Sequence, residues 1–133
     1  MKLSHLIDTD WIIHYLNGNK GITEKIRSLE KSGLAVSVVS LAELYEGIYY
    51  STNSEGNEKA LNDFLSGVSI LGIEDEVCRV FGKERGRLRQ AKKMIGDLDL
   101  LIASTCLHHK IALLTNNRKH YEVVDSLNIF SLS

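Results

Sequence analysis

Four short apolar runs, each leading to a carboxylate or amide side chain, most strongly constrain the fold of this 133-residue chain. The runs are too short to be buried helices, and apolar residues at helical spacing follow each polar position. The polar residues that follow the runs are, in chain order, Asp8, Glu43, Asp97 with Asp99, and Asn116 with Asn117. Alternation of strands and helices is typical of a parallel sheet covered by helices.

The runs and the helical patterns between them predict the order of the elements. We expect strands over residues 3–8, 35–39, 68–73 and 111–114, and a fifth over 127–132. Helical patterns separate them, including a long helix over residues 74–90 and another over 97–109. The chain therefore predicts a three-layer α/β/α fold with a central parallel sheet of four to five strands, formed by a single domain over residues 1–133.

The polar residues at the strand ends predict a site at one edge of this sheet. Right-handed crossovers bring the carboxyl ends of parallel strands to the same edge, where open α/β folds bind ligands. Carboxylates gathered there repel one another unless they are protonated or share a cation. Oxygen ligands of this kind suit Mg²⁺ or Mn²⁺, so the sequence favours a metal-dependent enzyme. Asp8 and Asp99 are the candidate ligands, with Asp97 and Asp10 as secondary candidates for the metal or for residues around it.

Helix capping is the competing interpretation for several of these acids. Thr9 or Asp10 can cap the helix that follows Asp8, which would leave Asp8 for the metal. Ser40 and Glu43 have the spacing of a capping box, so Glu43 is either a site residue or a helix cap.

The pair Asp97 and Asp99 opens a helix, and the two side chains cannot share one of its faces. We expect Asp97 to be the N-cap and Asp99 to project from position N2 as the better ligand. Asn116 and Asn117 either form a turn or place an amide in the site.

A basic segment directly precedes the Asp97 and Asp99 pair. Its cations are Arg79, Lys83, Arg85, Arg87, Arg89, Lys92 and Lys93, and Arg118 follows Asn117. The alternative is a solvated helix face. Because a phosphate backbone requires both cations to hold it and a metal to act on it, the segment favours nucleic-acid binding.

The overall composition restricts the class of protein. The net charge of −1 provides no global attraction to nucleic acid or membrane. Cys78 and Cys106 lie in apolar helical patterns, which predicts buried, reduced thiols in a cytoplasmic protein. No apolar run approaches the about 20 residues that a membrane helix requires, and the N-terminal segment lacks a signal-peptide pattern.

Together the motifs resemble the PIN-domain ribonucleases, and among them the VapC-type toxins of prokaryotic toxin–antitoxin pairs. The segments that carry the resemblance are residues 7–10 (IDTD), 37–44 (SVVSLAEL) with Gly47, 95–103 (IGDLDLLIA) and 114–121 (LTNNRKHY). Each segment alone is weak, but their order and the chain length make the combination specific.

The resemblance implies Asp8 and Asp99 as principal Mg²⁺ ligands and Glu43 as the third acid of the site. It places Asp97 at a position that the family fills variably. Asn117 stands where some relatives carry a fourth Asp, so one metal or two remain alternatives. The resemblance also implies a VapB-like antitoxin that blocks the site, and a homodimer.

The expected function is therefore a Mg²⁺-dependent endoribonuclease, with structured or single-stranded regions of RNA such as tRNA or rRNA as substrate. Asp8, Glu43, Asp99 and Asn117 are the predicted catalytic residues, and Arg85, Arg87, Arg89 and Arg118 the predicted RNA contacts. The alternatives are a non-catalytic module that binds RNA or a regulator, and a metal-dependent phosphatase or DNA nuclease. The Asp8-Thr9-Asp10 spacing would suit a phosphatase that forms an aspartyl phosphate.

Overall fold

A five-stranded, all-parallel sheet forms the centre of the computed structural model, which describes residues 2–132. The strands are β1 (His5–Ile7), β2 (Leu34–Ser37), β3 (Ser69–Leu71), β4 (Ala112–Leu114) and β5 (Ile129–Phe130). Their order across the sheet is β3-β2-β1-β4-β5. From β1 the chain continues to β2 and β3 on one side of β1, whereas β4 and β5 lie on the other side. The strand order therefore changes direction between β1 and β4, and open α/β folds form their binding crevice at such a point.

Helices cover both faces of the sheet, which confirms the predicted three-layer α/β/α architecture. Within the described residues they are α1 (Thr9–Leu16), α2 (Lys20–Leu29), α3 (Val38–Tyr49), α4 (Ser54–Leu65), α5 (Asp75–Gln90), α6 (Asp97–His109) and α7 (Arg118–Tyr121). A 3₁₀ turn over Glu30–Ser32 extends α2. Helix α7 is an element that the sequence patterns did not predict.

The two faces of the sheet carry separate hydrophobic cores because successive strand residues point in opposite directions. Leu6 of β1 packs with Leu100 of α6 and Leu88 of α5 on one face. Its neighbour Ile7 packs with residues of α1, α2, α3 and α4 on the other face. Leu6 and Ile7 are both fully buried, so β1 is held from above and below at the position where Asp8 follows it.

The helix starts differ from the predicted ones in three places. Helix α3 begins at Val38, two residues before Ser40, because the Ser37 hydroxyl caps it by accepting from the Val39 amide at 3.0 Å. Helix α6 has Gly96 as its N-cap, so Asp97 lies in the first turn and the predicted Asp97 cap is wrong. Asp8 is itself the N-cap of α1, not Thr9 or Asp10.

Two further expectations concern the cysteines and the membrane. Cys106 is buried, as predicted, and burial raises the pKa of its thiol. Cys78 is exposed on α5, so its predicted burial is wrong; its position lies off the apolar stripe of Val77 and Leu88. None of the helices in residues 2–132 has the length and hydrophobicity that a bilayer crossing requires.

Candidate active site

Asp8 lies at the carboxyl end of the central strand β1 and is only 3% exposed. Its Oδ1 accepts hydrogen bonds from the Thr9 amide at 2.9 Å and from the Tyr121 hydroxyl at 3.2 Å. Its Oδ2 accepts from the Thr115 hydroxyl at 2.8 Å. The donors come from α1, from α7 and from the turn after β4, so three separate parts of the chain hold this carboxylate in one orientation.

Burial raises the pKa of the Asp8 carboxyl from 3.8 to about 6, because the charged form loses its hydration. The negative charge of Asp10 raises the pKa further, whereas the hydrogen bonds from Thr115, Thr9 and Tyr121 lower it. In the protein without a bound cation, the ionised form of Asp8 is therefore energetically unfavourable. Perturbed acids of this kind concentrate at functional sites.

Tyr121 brings Asp99 to the same place. Its hydroxyl lies 3.2 Å from Asp8 Oδ1 and also 3.2 Å from Asp99 Oδ1, and the whole residue is buried. The other Asp99 oxygen lies 3.3 Å from His120 Nδ1, and the side chain of Asp99 is 31% exposed. The structure therefore brings the two predicted principal acids together around one phenol oxygen, with Asp99 on the solvent side.

Of the two alternatives for Glu43, the capping box does not form, since Ser40 lies inside α3 and Ser37 is the cap of that helix. The carboxylate Oε1 lies 2.8 Å from the Thr9 hydroxyl, which is also 2.9 Å from the Ser40 hydroxyl. A hydroxyl has one proton, so Thr9 donates to the carboxylate and accepts from Ser40. Thr9 thereby binds Glu43 through its hydroxyl and Asp8 through its backbone amide, and so links the two acids.

The two asparagines in the turn after β4 have different environments. Asn116 Oδ1 accepts from the Trp11 indole and from the Leu132 amide, both at 2.9 Å, so its side chain is structural. Asn117 is exposed, and within the described residues its side chain makes no capping hydrogen bond to α7. The backbone amide of Asn117 donates to Thr115 Oγ1 at 3.0 Å. Asn117 therefore lies next to Thr115, whose hydroxyl binds Asp8.

Two of the candidate acids are committed to other contacts. Asp10 accepts from the Trp11 amide and from the Asn116 amide, each at 2.9 Å, and so holds the turn after β4. Asp97 pairs with Arg85 at 2.6 Å, and its side chain is 82% exposed. Asp10 and Asp97 therefore support the site from outside the Asp8 and Asp99 pair.

The predicted RNA-binding arginines lie in different surroundings. Arg85 also donates to the Ile95 carbonyl at 3.1 Å, and Arg118 donates to the Ile129 carbonyl at 2.9 Å. Arg87 binds Glu84 at 3.0 Å and reaches Asp125 and the Val123 carbonyl. Arg89 is exposed at the last turn of α5. Arg87 is thus engaged in holding α5 against the segment after α7.

The donor set fits a hard divalent cation. Among residues 2–132, no three His, Cys, Asp or Glu side chains cluster closely enough to coordinate a metal by themselves. Mg²⁺ does not require such a cluster, because it commonly binds one or two carboxylates and completes its shell with waters and substrate phosphates. Asp8 provides a buried carboxylate whose ionised form is unfavourable without a cation, and Asp99 provides a second carboxylate on the solvent side.

The comparisons with known proteins agree with this geometry. The model of the PIN domain matches residues 5–125. The chain belongs to the PIN-domain family. Ribonuclease VapC2 of Rickettsia felis is 30% identical over 125 residues, which span 92% of this chain and 93% of that protein. Ribonuclease VapC1 of Methanocaldococcus jannaschii is 32% identical over 117 residues, which span 88% of this chain and 78% of that protein.

Solved structures of related complexes share this PIN fold. The VapBC2 complex of Rickettsia felis, bound to a fragment of its promoter DNA, contains a chain that matches with a TM-score of 0.92 and 28% identity, covering 98% of this chain and 100% of that one. The VapBC-1 complex of nontypeable Haemophilus influenzae matches with a TM-score of 0.83 and 26% identity, covering 97% and 98% of the two chains. The predicted relationship to VapC-type PIN domains is confirmed.

Sequence reasoning missed the hydrogen-bonding role of three residues in this PIN site: Thr9, Thr115 and Tyr121. The sequence pattern indicates only a helix cap at Thr9, whereas in the structure its amide and hydroxyl bind two different acids. Thr115 and Tyr121 lie in the last motif, and Tyr121 with Val124 has the spacing of an apolar helix face. That spacing could have predicted burial of Tyr121, but it contains no information about its hydroxyl.

Proposed function

We propose that this PIN-domain protein is a divalent-metal-dependent endoribonuclease and the toxin of a VapBC-type toxin–antitoxin pair. The observation that carries the proposal is the convergence of Asp8 and Asp99 on Tyr121 at the carboxyl edge of the sheet. Relatives named ribonuclease VapC match nearly the whole chain, which supports RNA as the substrate. Residues 1–133 act in this proposal as one domain.

Asp8 and Asp99 would hold the cation, with Mg²⁺ as the expected metal and Mn²⁺ as its substitute. A bound cation of this kind polarises a phosphodiester and lowers the pKa of a bound water. Asn117 adds a neutral amide at the same edge, so the site has fewer negative charges than a set of four acids would have. This composition favours a single tightly held metal.

Glu43 is the proposed general base. Its Oε1 is oriented by the Thr9 hydroxyl, which leaves the second carboxylate oxygen able to accept a proton from an attacking water. Asn117 is proposed to orient that water or the scissile phosphate through its exposed amide. Water attack on phosphorus breaks a phosphodiester bond and leaves the two ends of the cut strand.

Basic residues around the site would hold the RNA backbone. Arg85 lies against Asp97, two residues before Asp99, and Arg118 directly follows Asn117. Arg89 is exposed and unlike Arg87 is not part of the α5 contact with Glu84 and Asp125. We assign the phosphate contacts to Arg85, Arg89 and Arg118, and a lesser part to Arg87.

The proposed partner is a VapB-like antitoxin, because several structural relatives are VapBC complexes. A groove of about 270 Å³ beside the site is largely apolar, and Glu43, Leu44 and Ile48 are among its lining residues. Ile13, which also lines this groove, is 46% exposed, which favours cover by a partner. We further propose that the toxin is a cytoplasmic homodimer.

The proposal is tested with purified protein freed of antitoxin and incubated with total RNA, with and without Mg²⁺ or Mn²⁺. Cleavage that requires the metal and is lost in Asp8→Asn and Asp99→Asn is expected, because each substitution removes an anionic ligand. Asp63→Asn is the matched control, since Asp63 is an exposed carboxylate on α4. RNA binding without cleavage in either metal would favour a non-catalytic module, and phosphate trapped on Asp8 would favour a phosphatase.

A further inference from the structure

Asp8 and Asp99 share a single hydrogen-bond donor that comes from the protein core. The Tyr121 hydroxyl is 3.2 Å from one oxygen of each acid. Tyr121 is fully buried, whereas Asp99 remains 31% exposed. The phenol therefore approaches the two acids from inside the protein and leaves the solvent side of Asp99 open.

One hydroxyl proton cannot bind two carboxylates fully at the same time. Both distances exceed the usual 2.5–3.0 Å of O–H···O hydrogen bonds, as expected for a proton shared between two acceptors. A shared donor fixes the separation and orientation of the two acids, because movement of either one breaks its contact with the phenol oxygen.

The contacts of Asp8 show what this donor does to the ligand geometry. A carboxylate has about four positions at which it accepts hydrogen bonds or binds a cation. Thr9, Thr115 and Tyr121 occupy three of those of Asp8. Asp8 is thereby restricted to binding a cation through one remaining position, and Tyr121 is the only one of these donors that also holds Asp99.

We infer that Tyr121 is a positioning residue of the metal site, which holds Asp8 and Asp99 in a preorganised pair through its hydroxyl. This inference rests on the proposed function only for the identity of the ligand, a divalent cation. Residues that orient metal ligands through hydrogen bonds contribute 10- to 100-fold to metal affinity in known sites. We expect the same contribution here from one hydroxyl group.

The test is calorimetric titration of metal-free protein with Mn²⁺, in the absence of RNA, comparing wild type with Tyr121→Phe. The variant keeps the buried ring and removes only the hydroxyl, and we expect about 10- to 100-fold weaker binding with unchanged stoichiometry. Tyr50→Phe is the matched control, because Tyr50 is 89% exposed and should bind Mn²⁺ as wild type does. Equal affinities of Tyr121→Phe and wild type would overturn the inference.

A second measurement separates positioning from general loss of structure. If Tyr121→Phe only reduced the folded fraction, titration would show fewer sites with unchanged affinity, and that result would also overturn the inference. In RNA cleavage, we expect a higher Mn²⁺ concentration for half-maximal rate, with the KM for RNA unchanged.

Failure of the proposed function would be distinguishable. Weaker Mn²⁺ binding in Tyr121→Phe, together with no RNA cleavage by wild type, would support the positioning role and reject the nuclease. RNA cleavage by wild type, with equal Mn²⁺ affinity in wild type and Tyr121→Phe, would support the nuclease and reject the positioning role.

Discussion

The buried charge of Asp8 predicts that Asp8→Asn stabilises the metal-free protein at neutral pH while it abolishes cleavage. In wild type the pKa of the Asp8 carboxyl is raised from 3.8 to about 6, a shift of about two units. Each unit corresponds to about 1.4 kcal/mol, so the ionised carboxylate lowers the free energy of unfolding by about 3 kcal/mol. Asparagine has nearly the same shape and carries no charge.

The asparagine in Asp8→Asn also loses a hydrogen bond, which limits the gain in the free energy of unfolding. Its nitrogen in place of Oδ2 cannot accept the hydrogen bond that Thr115 now donates at 2.8 Å. Loss of such a hydrogen bond costs about 1 kcal/mol. The net expectation is that Asp8→Asn is about 2 kcal/mol more stable than wild type at pH 7.5.

The sign of the pH dependence makes the prediction specific. Between the unfolded value near 3.8 and the folded value of about 6, the folded state holds the Asp8 proton and the unfolded state does not. The stability that wild type gains from this proton is complete below pH 3.8 and is lost as the pH rises through 6. At pH 4 wild type should therefore be the more stable protein, by roughly 0.5 kcal/mol, because the cost of the hydrogen bond lost in the variant then exceeds the remaining cost of the Asp8 charge.

Urea unfolding in the presence of EDTA, followed by circular dichroism at several values between pH 4 and 7.5, measures this difference. Asp63→Asn serves as the exposed control and should follow the wild-type curve. A stability difference between Asp8→Asn and wild type that is constant over this range would refute the reasoning, as would a variant that is less stable at pH 7.5.

Two other predictions test the base and the fold. Glu43→Gln should lower kcat by about 10²–10⁴-fold in RNA cleavage assays. Thr9→Val, which removes the hydroxyl and keeps the backbone amide, should lower kcat less; equal losses would contradict the view that the Thr9 hydroxyl only orients Glu43. Gly33 has a φ of 95°, and a Cβ there would collide with the Lys2 carbonyl. Gly33→Ala should therefore lower the free energy of unfolding by more than about 1 kcal/mol, whereas Gly47→Ala, which has open space on α3, should not; equal melting temperatures would reject this.

The sequence predicted the sheet and the position of its principal acids because these depend on local patterns. Asp8 follows a buried run, and Asp99 opens a helix, and both signals are read from a few neighbouring residues. The carboxyl ends of parallel strands must then share an edge. This rule explains the position of Asp8 but not that of Asp99, which lies in the first turn of α6 and follows α5 rather than a strand. Packing of α6 against the sheet brings Asp99 near Asp8.

The hydrogen bonds within the site could not be predicted in the same way, because they join residues that are distant in the chain. Tyr121 is 113 positions from Asp8 and binds it through a hydroxyl that a helical apolar pattern treats as neutral. Glu43 shows the opposite case: the sequence leaves a cap and a site residue as alternatives, and the structure has Ser37 as the cap while Thr9, 34 positions away, binds Glu43. Local signals decide between these alternatives only when no long-range partner competes.

The cost of the Asp8 charge also determines how a cation should act on stability. A cation that binds only the folded protein stabilises it by about 2.7 kcal/mol at a concentration 100-fold above its Kd. In wild type at pH 7.5, saturating Mn²⁺ should therefore raise the midpoint of urea unfolding, and in Asp8→Asn the increase should be largely lost. At pH 5 the wild-type gain should be smaller, because the proton competes with the cation below the Asp8 pKa of about 6. Equal increases in the two proteins at pH 7.5 would show that Mn²⁺ binds away from Asp8, and the proposed metal site would then be wrong.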